Sequence, residues 1–409
     1  MSSASIPYQA SFSAVSIWLT GVSFVLFQFF IQLSSGVVLD YIMREMQLTA
    51  LVAGLLSSAF YYVYTTMQIP VGILFDRRST RLLLGSTALI CSFGCFLFAH
   101  SHNVLLFFIA RLLIGAGASF AFVGLSHLLR EHFPLNRFAF MFGLSETLGF
   151  MITVAGIIGL GAFISHLGWR SFVNGAGVAG IVISILCFCV IPANKKNTKP
   201  VSHSTLQQLK QIALSARLWA NGLYVGLCFT IITVFGALWA IPFLQLKLNC
   251  SLKEASLVDA MLFCGAAISC PSYGYLTNHF RRRPLMVGSA LSTAVLMLVA
   301  LFATISSIQM MALILFAMGI CCGAYMLTYT VANELSPPDA VSTCTGFTNT
   351  LAMLTAPLMQ PLIGLLLDYL KEPGQGYSVY DYQWALTTVP AALVVASLLA
   401  LALPEKKQE

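Results

Sequence analysis

The chain is built from long apolar runs that are separated by short polar segments. The first run covers residues 12–39, and eleven further runs follow it. A helix of about 20 apolar residues crosses the hydrocarbon core of a bilayer. In lipid such a run has to be helical, because its backbone polar groups can pair only within the segment. The pattern therefore predicts an all-α integral membrane protein with twelve transmembrane helices.

The composition supports this prediction. Only 9% of the 409 residues are charged and 58% are hydrophobic, whereas about 25% of the residues are charged in a soluble domain. So few charges cannot cover a water-facing surface, and most of the outer surface must face lipid. The predicted spans are residues 12–39, 50–75, 82–99, 104–128, 139–164, 171–191, 220–244, 256–277, 285–305, 309–333, 342–368 and 384–403.

The basic residues predict the orientation of the helices. If both termini are cytoplasmic, 15 of the 21 Lys and Arg residues lie in inner segments and five in outer segments, and Arg111 alone lies within a span. Cytoplasmic loops of membrane proteins carry such an excess. The loops are compact, as is typical of bacteria. We therefore predict a multi-pass inner (plasma) membrane protein with cytoplasmic termini, whose net charge of +7 reflects topology and no nucleic-acid partner.

An internal repeat divides the chain into two halves. The longest connection, residues 192–219, separates six predicted helices in residues 1–191 from six in residues 220–409. Several positions recur at a constant offset of 203 residues: Pro134, Gly143, Glu146 and Gly161 match Pro337, Gly346, Asn349 and Gly364. Two six-helix halves in parallel repeat are typical of transporters, with the substrate site between the halves near the membrane midplane.

The loop after the second predicted helix carries the most specific motif. Residues 72–81 read Gly-Ile-Leu-Phe-Asp-Arg-Arg-Ser-Thr-Arg. They resemble the pattern Gly-x-Leu-x-Asp-Arg-x-Gly-Arg-Arg/Lys of the major facilitator superfamily, with Ser79 in place of the second Gly. The chain resembles this family over its whole length. The resemblance implies the major facilitator fold, in which two six-helix halves enclose a central cavity.

The motif predicts a latch on the cytoplasmic side. Gly72 lets another helix approach closely, and Asp76 can pair with Arg residues or lie at a neighbouring helix N-terminus. The alternative is that Arg77, Arg78 and Arg81 only anchor the loop at the membrane surface. A degenerate second copy keeps the bases and lacks the acid, so a second charged latch is not expected. The predicted gate residues are Gly72, Asp76, Arg77, Arg81, Gly274, Asn278 and Arg281.

Arg111 begins a segment that resembles the fourth-helix motif of the same family, Arg-x-x-x-Gly-x-Gly. It lies about 10 Å deep in the membrane at 1.5 Å per residue. A charge at that depth is costly and is by default functional. Arg111 is expected to take part in proton coupling or to bind an anionic substrate group. The alternative is a structural Arg that is bonded to backbone carbonyls of a neighbouring helix.

Glu146 is the only acid near the middle of a predicted span. A carboxyl group away from water is costly to charge, which suits a residue that takes up and releases protons. The alternative is a Glu in a fixed hydrogen-bonded pair. Four other acids lie near predicted helix ends and are expected to be wetted, and the first three of them are the next candidates for coupling: Asp40, Asp259, Asp368 and Glu334.

Polar side chains at i, i+4 spacing form stripes on several helices. In the resembled family the first, fourth, seventh and tenth helices line the cavity, and stripes on the first and tenth helices fall there. Trp239 and Phe243 are a candidate gate, although Tyr and Trp residues also serve as interfacial belts or in packing. The predicted substrate-binding or coupling residues are Gln28, Gln32, Tyr61, Arg111, Glu146, Trp239, Tyr325, Tyr329 and Asn349.

These features predict secondary active transport of a small polar solute such as an amino acid, a nucleoside or an organic anion. Residues 138–163 lack the Gly-Pro-x-x-Gly-Gly sequence of proton-driven exporters, which favours proton-coupled import. The protein is expected to be a monomer. An exporter of a drug, a siderophore or a metabolite is the alternative, and a receptor or scaffold on a transporter fold is a second one. No catalytic cluster, Walker loop or metal-ligand spacing occurs, so neither an enzyme nor a cofactor or metal is expected.

The predicted topology can be tested by labelling single cysteines. In a background without the 11 natural cysteines, an impermeant thiol reagent should label a cysteine at position 103 in intact cells, because this loop is predicted to be periplasmic. A cysteine at position 198, in the predicted cytoplasmic linker, should react only after the membrane is opened. The reverse pattern would contradict the orientation.

Overall fold

A computed structural model describes residues 12–46, 50–193, 205–337, 339–372 and 376–405. These residues form helices and contain no strand. Twelve long helices are numbered here in chain order: α1 (Phe12–Met46), α2 (Ala50–Arg77), α3 (Thr80–His100), α4 (Val104–His132), α5 (Leu135–Leu167), α6 (Trp169–Val190), α7 (Ala216–Leu248), α8 (Leu252–Leu276), α9 (Arg282–Phe302), α10 (Ile308–Leu335), α11 (Val341–Leu370) and α12 (Val379–Leu401).

The helices have the dimensions of membrane spans. In the described part of the chain, eleven of them are long and apolar enough to cross a bilayer. The twelfth, α2, has 28 residues and packs between α4 and α11. The twelve-helix, all-α membrane fold predicted from the sequence is thus confirmed.

Some predicted boundaries were wrong. Helix α1 continues to Met46, about two turns beyond residue 39, and α7 begins at Ala216 inside the predicted linker. The linker also contains a short helix, Thr205–Leu214, that the sequence analysis missed. It has only 10 residues and low mean hydropathy, so it lacks the pattern of a span. Its Ile212 is buried in a cluster with Leu218 of α7 and Cys344 of α11.

The two halves, α1–α6 and α7–α12, meet along two seams. Helix α2 packs against α11, and α5 packs against α8. We call the end of the bundle that carries the connection between α6 and α7 the linker face, and the other end the opposite face. The hydrogen bonds and ring contacts that join the two halves include Thr147 to Ala267, Asp76 to Thr343, Asn349 to Gln68, and Phe150 to Phe263. These residues lie between the linker face and the middle of the bundle.

Glycines allow the helices to touch at both seams. A Cβ atom at Gly72 of α2 would lie 2.5 Å from the carbonyl oxygen of Ser342 in α11. A Cβ atom at Gly274 of α8 would lie 2.6 Å from backbone atoms of Ala139 and Phe140 in α5. Neither position can hold a larger residue without a backbone shift. The repeated Gly of the sequence motif therefore occupies equivalent contacts in the two seams.

Two helices of the second half are locally irregular. The segment Ile231–Trp239 of α7 is π-helical, and Gly323–Met326 of α10 is a 3₁₀ turn. Irregular backbone inside a membrane has to be satisfied by neighbouring groups, and the Gln360 side chain donates to the carbonyl of Thr233 at 2.7 Å. Such segments frequently occur at functional sites. They include two predicted site residues, Trp239 and Tyr325.

Candidate functional site

Asp76 joins the two halves at the linker face. Its Oδ1 accepts the backbone N–H of Ser342 at 2.8 Å, and its Oδ2 accepts the backbone N–H of Thr343 at 2.8 Å and the Thr343 hydroxyl at 2.7 Å. These are donors of the first turn of α11. The sequence offered two kinds of partner for Asp76. In the structure its hydrogen bonds go to the helix N-terminus, and Arg130 of α4 lies close enough to interact with it electrostatically.

The start of α11 depends on this acid. The N-cap position is occupied by Ala340, which has no side chain that can accept a hydrogen bond. The first N–H groups of a helix have no partner within it, and its N-terminus carries a partial positive charge. A carboxylate supplied by α2 therefore completes α11 across the seam. Each hydrogen bond to a charged group contributes roughly 1.5–3 kcal/mol.

Two side chains of α4 complete the cluster around Ser342. Arg130 donates to the Ser342 hydroxyl at 2.6 Å, and Nδ1 of His127 lies 2.8 Å from the same oxygen. His127 also pairs with Glu131 at 3.1 Å. His127 and Arg130 were not predicted, because residues at a helix end give no local sequence signal that they meet a partner more than 200 residues away.

The charged and polar residues of the predicted gate other than Asp76 lie elsewhere. Arg77 is exposed, and neither it nor Arg81 forms an ion pair with Asp76 in the described part of the chain. Asn278 and Arg281 are also exposed. The next residue, Arg282, forms a bidentate pair with Glu334 at 2.7 and 2.9 Å within the second half. The α5–α8 seam therefore has the close glycine contact, at Gly274, but no charged latch among the described residues. This agrees with the second copy of the motif, which has Asn278 where the first copy has Asp76.

A hydrogen-bonded chain crosses the middle of the α2–α11 seam. The Asn349 amide donates to Gln68 Oε1 at 2.9 Å, and its Oδ1 accepts the Tyr329 hydroxyl at 3.0 Å. All three side chains are buried. The Tyr329 ring packs edge-on against Phe142 of α5 and Phe122 of α4, with centroids 4.9 and 5.1 Å apart. Two predicted site residues, Tyr329 and Asn349, are thus brought together between the halves.

Glu146 lies beside this chain and is only 4% exposed. Its Oε2 has no hydrogen-bond partner among the described residues. Tyr64, Cys270, Tyr325 and Tyr329 lie near enough to interact with it electrostatically. The fixed hydrogen-bonded pair that was the alternative for Glu146 is therefore not present in this conformation. Tyr64 was not predicted, although it lies four residues before Gln68 on the same helix face.

A second polar track lies within the first half. Gln28 donates to Gln32 at 2.8 Å, and Gln32 donates to the Tyr61 hydroxyl at 3.3 Å. The Arg111 guanidinium lies near Tyr61 and 5.3 Å from the centroid of the Phe60 ring. Three predicted site residues of α1 and α2 thus form one hydrogen-bonded track, and a fourth, Arg111 of α4, lies near its Tyr61 end.

Trp239 and Phe243 do not close the space between the halves in this conformation. Both rings pack against Tyr382 of α12, with centroids 6.3 and 6.4 Å apart. Phe243 is completely buried, and Trp239 also lies beside Gly364 of α11. These contacts belong to the second half, which favours a packing role for the pair.

The prediction that Asp259 is wetted was wrong. Asp259 is 1% exposed, so Glu146 is not the only deep acid. The error came from the helix start, because α8 begins at Leu252 and the sequence analysis placed it at residue 256. Asp259 lies one turn deeper than expected. Asp368 and Glu334 are exposed as predicted, and the Asp40 side chain lies outside the described residues.

Sequence comparison relates the chain to transport proteins. A sequence model described as Major Facilitator Superfamily matches residues 18–248 and 223–409. A Bacillus subtilis protein named "Probable galactarate/D-glucarate transporter" is 22% identical over 372 residues, 80% of each chain. An Escherichia coli protein of the same name is 23% identical over 377 residues, 80% of this chain and 82% of its own. The quinolone resistance protein of Staphylococcus aureus is 24% identical over 275 residues, 65% and 68% of the two chains.

Structure comparison agrees at the level of the fold. Two crystal structures of a bacterial homolog of the human lysosomal transporter Spinster cover 98% of this chain, and 97% of their own length is covered. The TM-score is 0.60 for the unoccupied inward-facing form and 0.62 for the occupied inward-facing form, at 15% and 17% identity. The same twelve-helix arrangement is thus present in both proteins.

Replacing Asp76 should loosen the linker face. Asp76→Asn removes the negative charge and replaces one of the two accepting oxygens by an NH₂ group. This group would point an N–H at a donor of Ser342 or Thr343. We expect the contact at the start of α11 to weaken by about 1–3 kcal/mol. The seam should then be open about 5 to 150 times more often than in the parent. A cysteine at Ile69, which lies against Gly346 of α11, should then react faster with a thiol reagent.

Arg78→Gln is the matched control for this variant. Arg78 is an exposed neighbour, and its replacement by Gln removes one charge from the same loop. Its labelling rate should equal that of the parent. Equal rates in Asp76→Asn and the parent would contradict the latch.

Proposed function

Because the chain belongs to the Major Facilitator Superfamily, we propose that it is a proton-coupled secondary active transporter that imports a small polar solute by alternating access. The protein lies in the inner membrane as a monomer with both termini in the cytoplasm. The proposal rests on Glu146, a buried acid with a free carboxyl oxygen at the place where the two halves meet.

A coupling residue has to change its charge between the two access states. Burial disfavours the charged form of a carboxyl group, whereas water or a nearby cation favours it. Glu146 is surrounded by residues of both halves, including Tyr64 of α2 and Tyr325 of α10. When the halves move apart at the linker face, this environment is replaced by water. Glu146 then releases its proton to the cytoplasm, which couples the movement of the halves to the proton gradient.

The contacts between the halves support a particular access state. They run from the linker face to the middle of the bundle, through Asp76, Asn349 and Gly274. With the linker on the cytoplasmic side, this conformation is closed to the cytoplasm and faces outward. A rocking movement of one half against the other then exposes the central site to the cytoplasm.

The polar track suggests the class of solute. Arg111 can hold a carboxylate through two parallel N–H groups, and the neighbouring side chains of Gln32 and Tyr61 can bind hydroxyl groups. Galactarate and D-glucarate, named for two relatives, are polyhydroxy dicarboxylates and carry both kinds of group. We therefore propose organic anions of the sugar-acid class as the solutes to test first, with amino acids and nucleosides after them.

Export of a drug is the second candidate function. It is favoured by the similarity to a quinolone resistance protein over 65% of the chain. The two functions are distinguished in proteoliposomes with a pH gradient. Import predicts that labelled D-glucarate or galactarate moves in the same direction as protons. Export predicts that a quinolone moves against them.

Replacing Glu146 by Gln should abolish transport driven by protons but not exchange of the solute. In Glu146→Gln, accumulation of labelled D-glucarate driven by a pH gradient should be abolished, because Gln mimics the protonated acid and cannot release a proton. Counterflow without a gradient should persist at a reduced rate, since it requires only that the loaded carrier exchange its solute.

Asp368→Asn serves as the matched control, because Asp368 is an exposed acid of α11. This variant should accumulate D-glucarate like the parent. Proton-driven accumulation that survives intact in Glu146→Gln would exclude Glu146 as the proton carrier.

A further inference from the structure

Asp259 of α8 is a buried acid that the proposed mechanism leaves unused. Its Oδ1 has no hydrogen-bond partner among the described residues. No ion pair joins it to a described residue of the helices packed against α8, namely α5, α7 and α10. A carboxyl group that is isolated in this way is costly to charge, and such residues inside membranes are by default functional.

The helix geometry directs Asp259 toward the centre of the bundle. Cys270 follows it by eleven residues, which is three helical turns, so the two share a face. The Cys270 thiol donates to the Tyr325 hydroxyl of α10 at 3.6 Å, and this face therefore points between α5 and α10. Asp259 and Glu146 consequently lie on facing helices of the same seam.

An aromatic pair separates the two acids along this seam. Phe263, one turn from Asp259, packs against Phe150, one turn from Glu146, with ring centroids 6.0 Å apart. Both rings are buried, at 5% and 3% exposure. Each step of four residues is about 6 Å along the axis, so the acids lie at levels about 12 Å apart. Asp259 is the nearer of the two to the opposite face.

We propose that Asp259 is a second proton-carrying residue, which receives the proton at the opposite face and passes it to Glu146 when the Phe150–Phe263 pair separates. This inference rests on the proposed proton-coupled function. A proton enters from the aqueous side onto the Asp259 carboxylate. It then leaves Asp259 through intervening water and binds the Glu146 carboxylate, so Asp259 is left charged and ready for the next proton.

In this scheme the contact between the Phe150 and Phe263 rings keeps protons from passing between the two acids. Rings in contact exclude water, and without water a proton cannot cross the 12 Å interval. In the compact α5–α8 seam the two acids are therefore insulated from each other. Movement of α5 against α8 during the access change is what joins them, which prevents protons from leaking without movement of the halves.

The presence of the proton on Asp259 can be measured without any solute. Infrared difference spectra of the full-length protein in lipid nanodiscs, recorded across a pH titration, report the carbonyl band of protonated carboxyl groups. Asp259→Asn and Glu146→Gln should each remove part of this band, and the exposed control Asp368→Asn should leave the band at neutral pH unchanged. An unchanged band in Asp259→Asn would overturn the proposal.

The role of the proton is tested in proteoliposomes. Phe263→Ala should raise the proton leak without solute several-fold, measured with an enclosed pH dye, and Asp259→Asn in the same chain should return the leak to the parent rate. A proton leak that persists in the double variant would overturn the proposal. So would accumulation of labelled D-glucarate by Asp259→Asn that depends on Na⁺ in place of protons. If the parent shows no proton-driven transport of any probe, the proposed function fails, while the infrared band still decides whether Asp259 carries a proton.

Discussion

The first turn of α11 has no capping side chain of its own, and Asp76 of the other half supplies the missing acceptor. The start of α11, in the second half, therefore depends on a side chain at the end of α2, in the first half. This arrangement also places a charge-assisted contact at the linker face, where it exists only while α2 and α11 touch. A contact that is present in one access state and absent in the other can shift the balance between them. The missing side chain at Gly72 lets α2 and α11 come close enough for this contact. His127 and Arg130 of α4 add further contacts to Ser342 beside it.

Packing at the same seams buries Glu146 and Asp259. Because the glycine contacts bring α5 and α8 together, Glu146, Asp259 and the rings of Phe150 and Phe263 are packed away from water. Two unpaired carboxyl groups in such an environment are a cost to folding, since charging either of them there requires several kcal/mol. The cost is removed whenever the halves separate and water enters. In the proposed mechanism, opening of the seams and release of a proton therefore favour each other, and this is the physical basis of the coupling.

Much of this architecture could be predicted from the sequence, and for identifiable reasons. Apolar length determined the helices, and the motif at residues 72–81 singled out Gly72 and Asp76 because backbone contact and helix capping require those residue types. The repeat related Glu146 to Asn349, and the structure places both residues between the halves. Asp259 was misplaced because a capping box at Ser251 starts α8 earlier than its apolar run does. His127 and Arg130 act through a tertiary contact that has no local sequence pattern.

The account depends on two seams that open at one face of the bundle as the other face closes. Spin labels at Leu135 and His279, exposed at the linker ends of α5 and α8, report one face, and labels at Asn103 and Ser306 report the other. Distances between the labels of each pair are measured by pulsed electron resonance in lipid nanodiscs from acidic to alkaline pH. We expect two populations, with a longer linker-face distance accompanied by a shorter distance at the opposite face, and with proportions that change with pH. A single pair of distances at every pH, or distances that lengthen at both faces together, would contradict alternating access controlled by protonation.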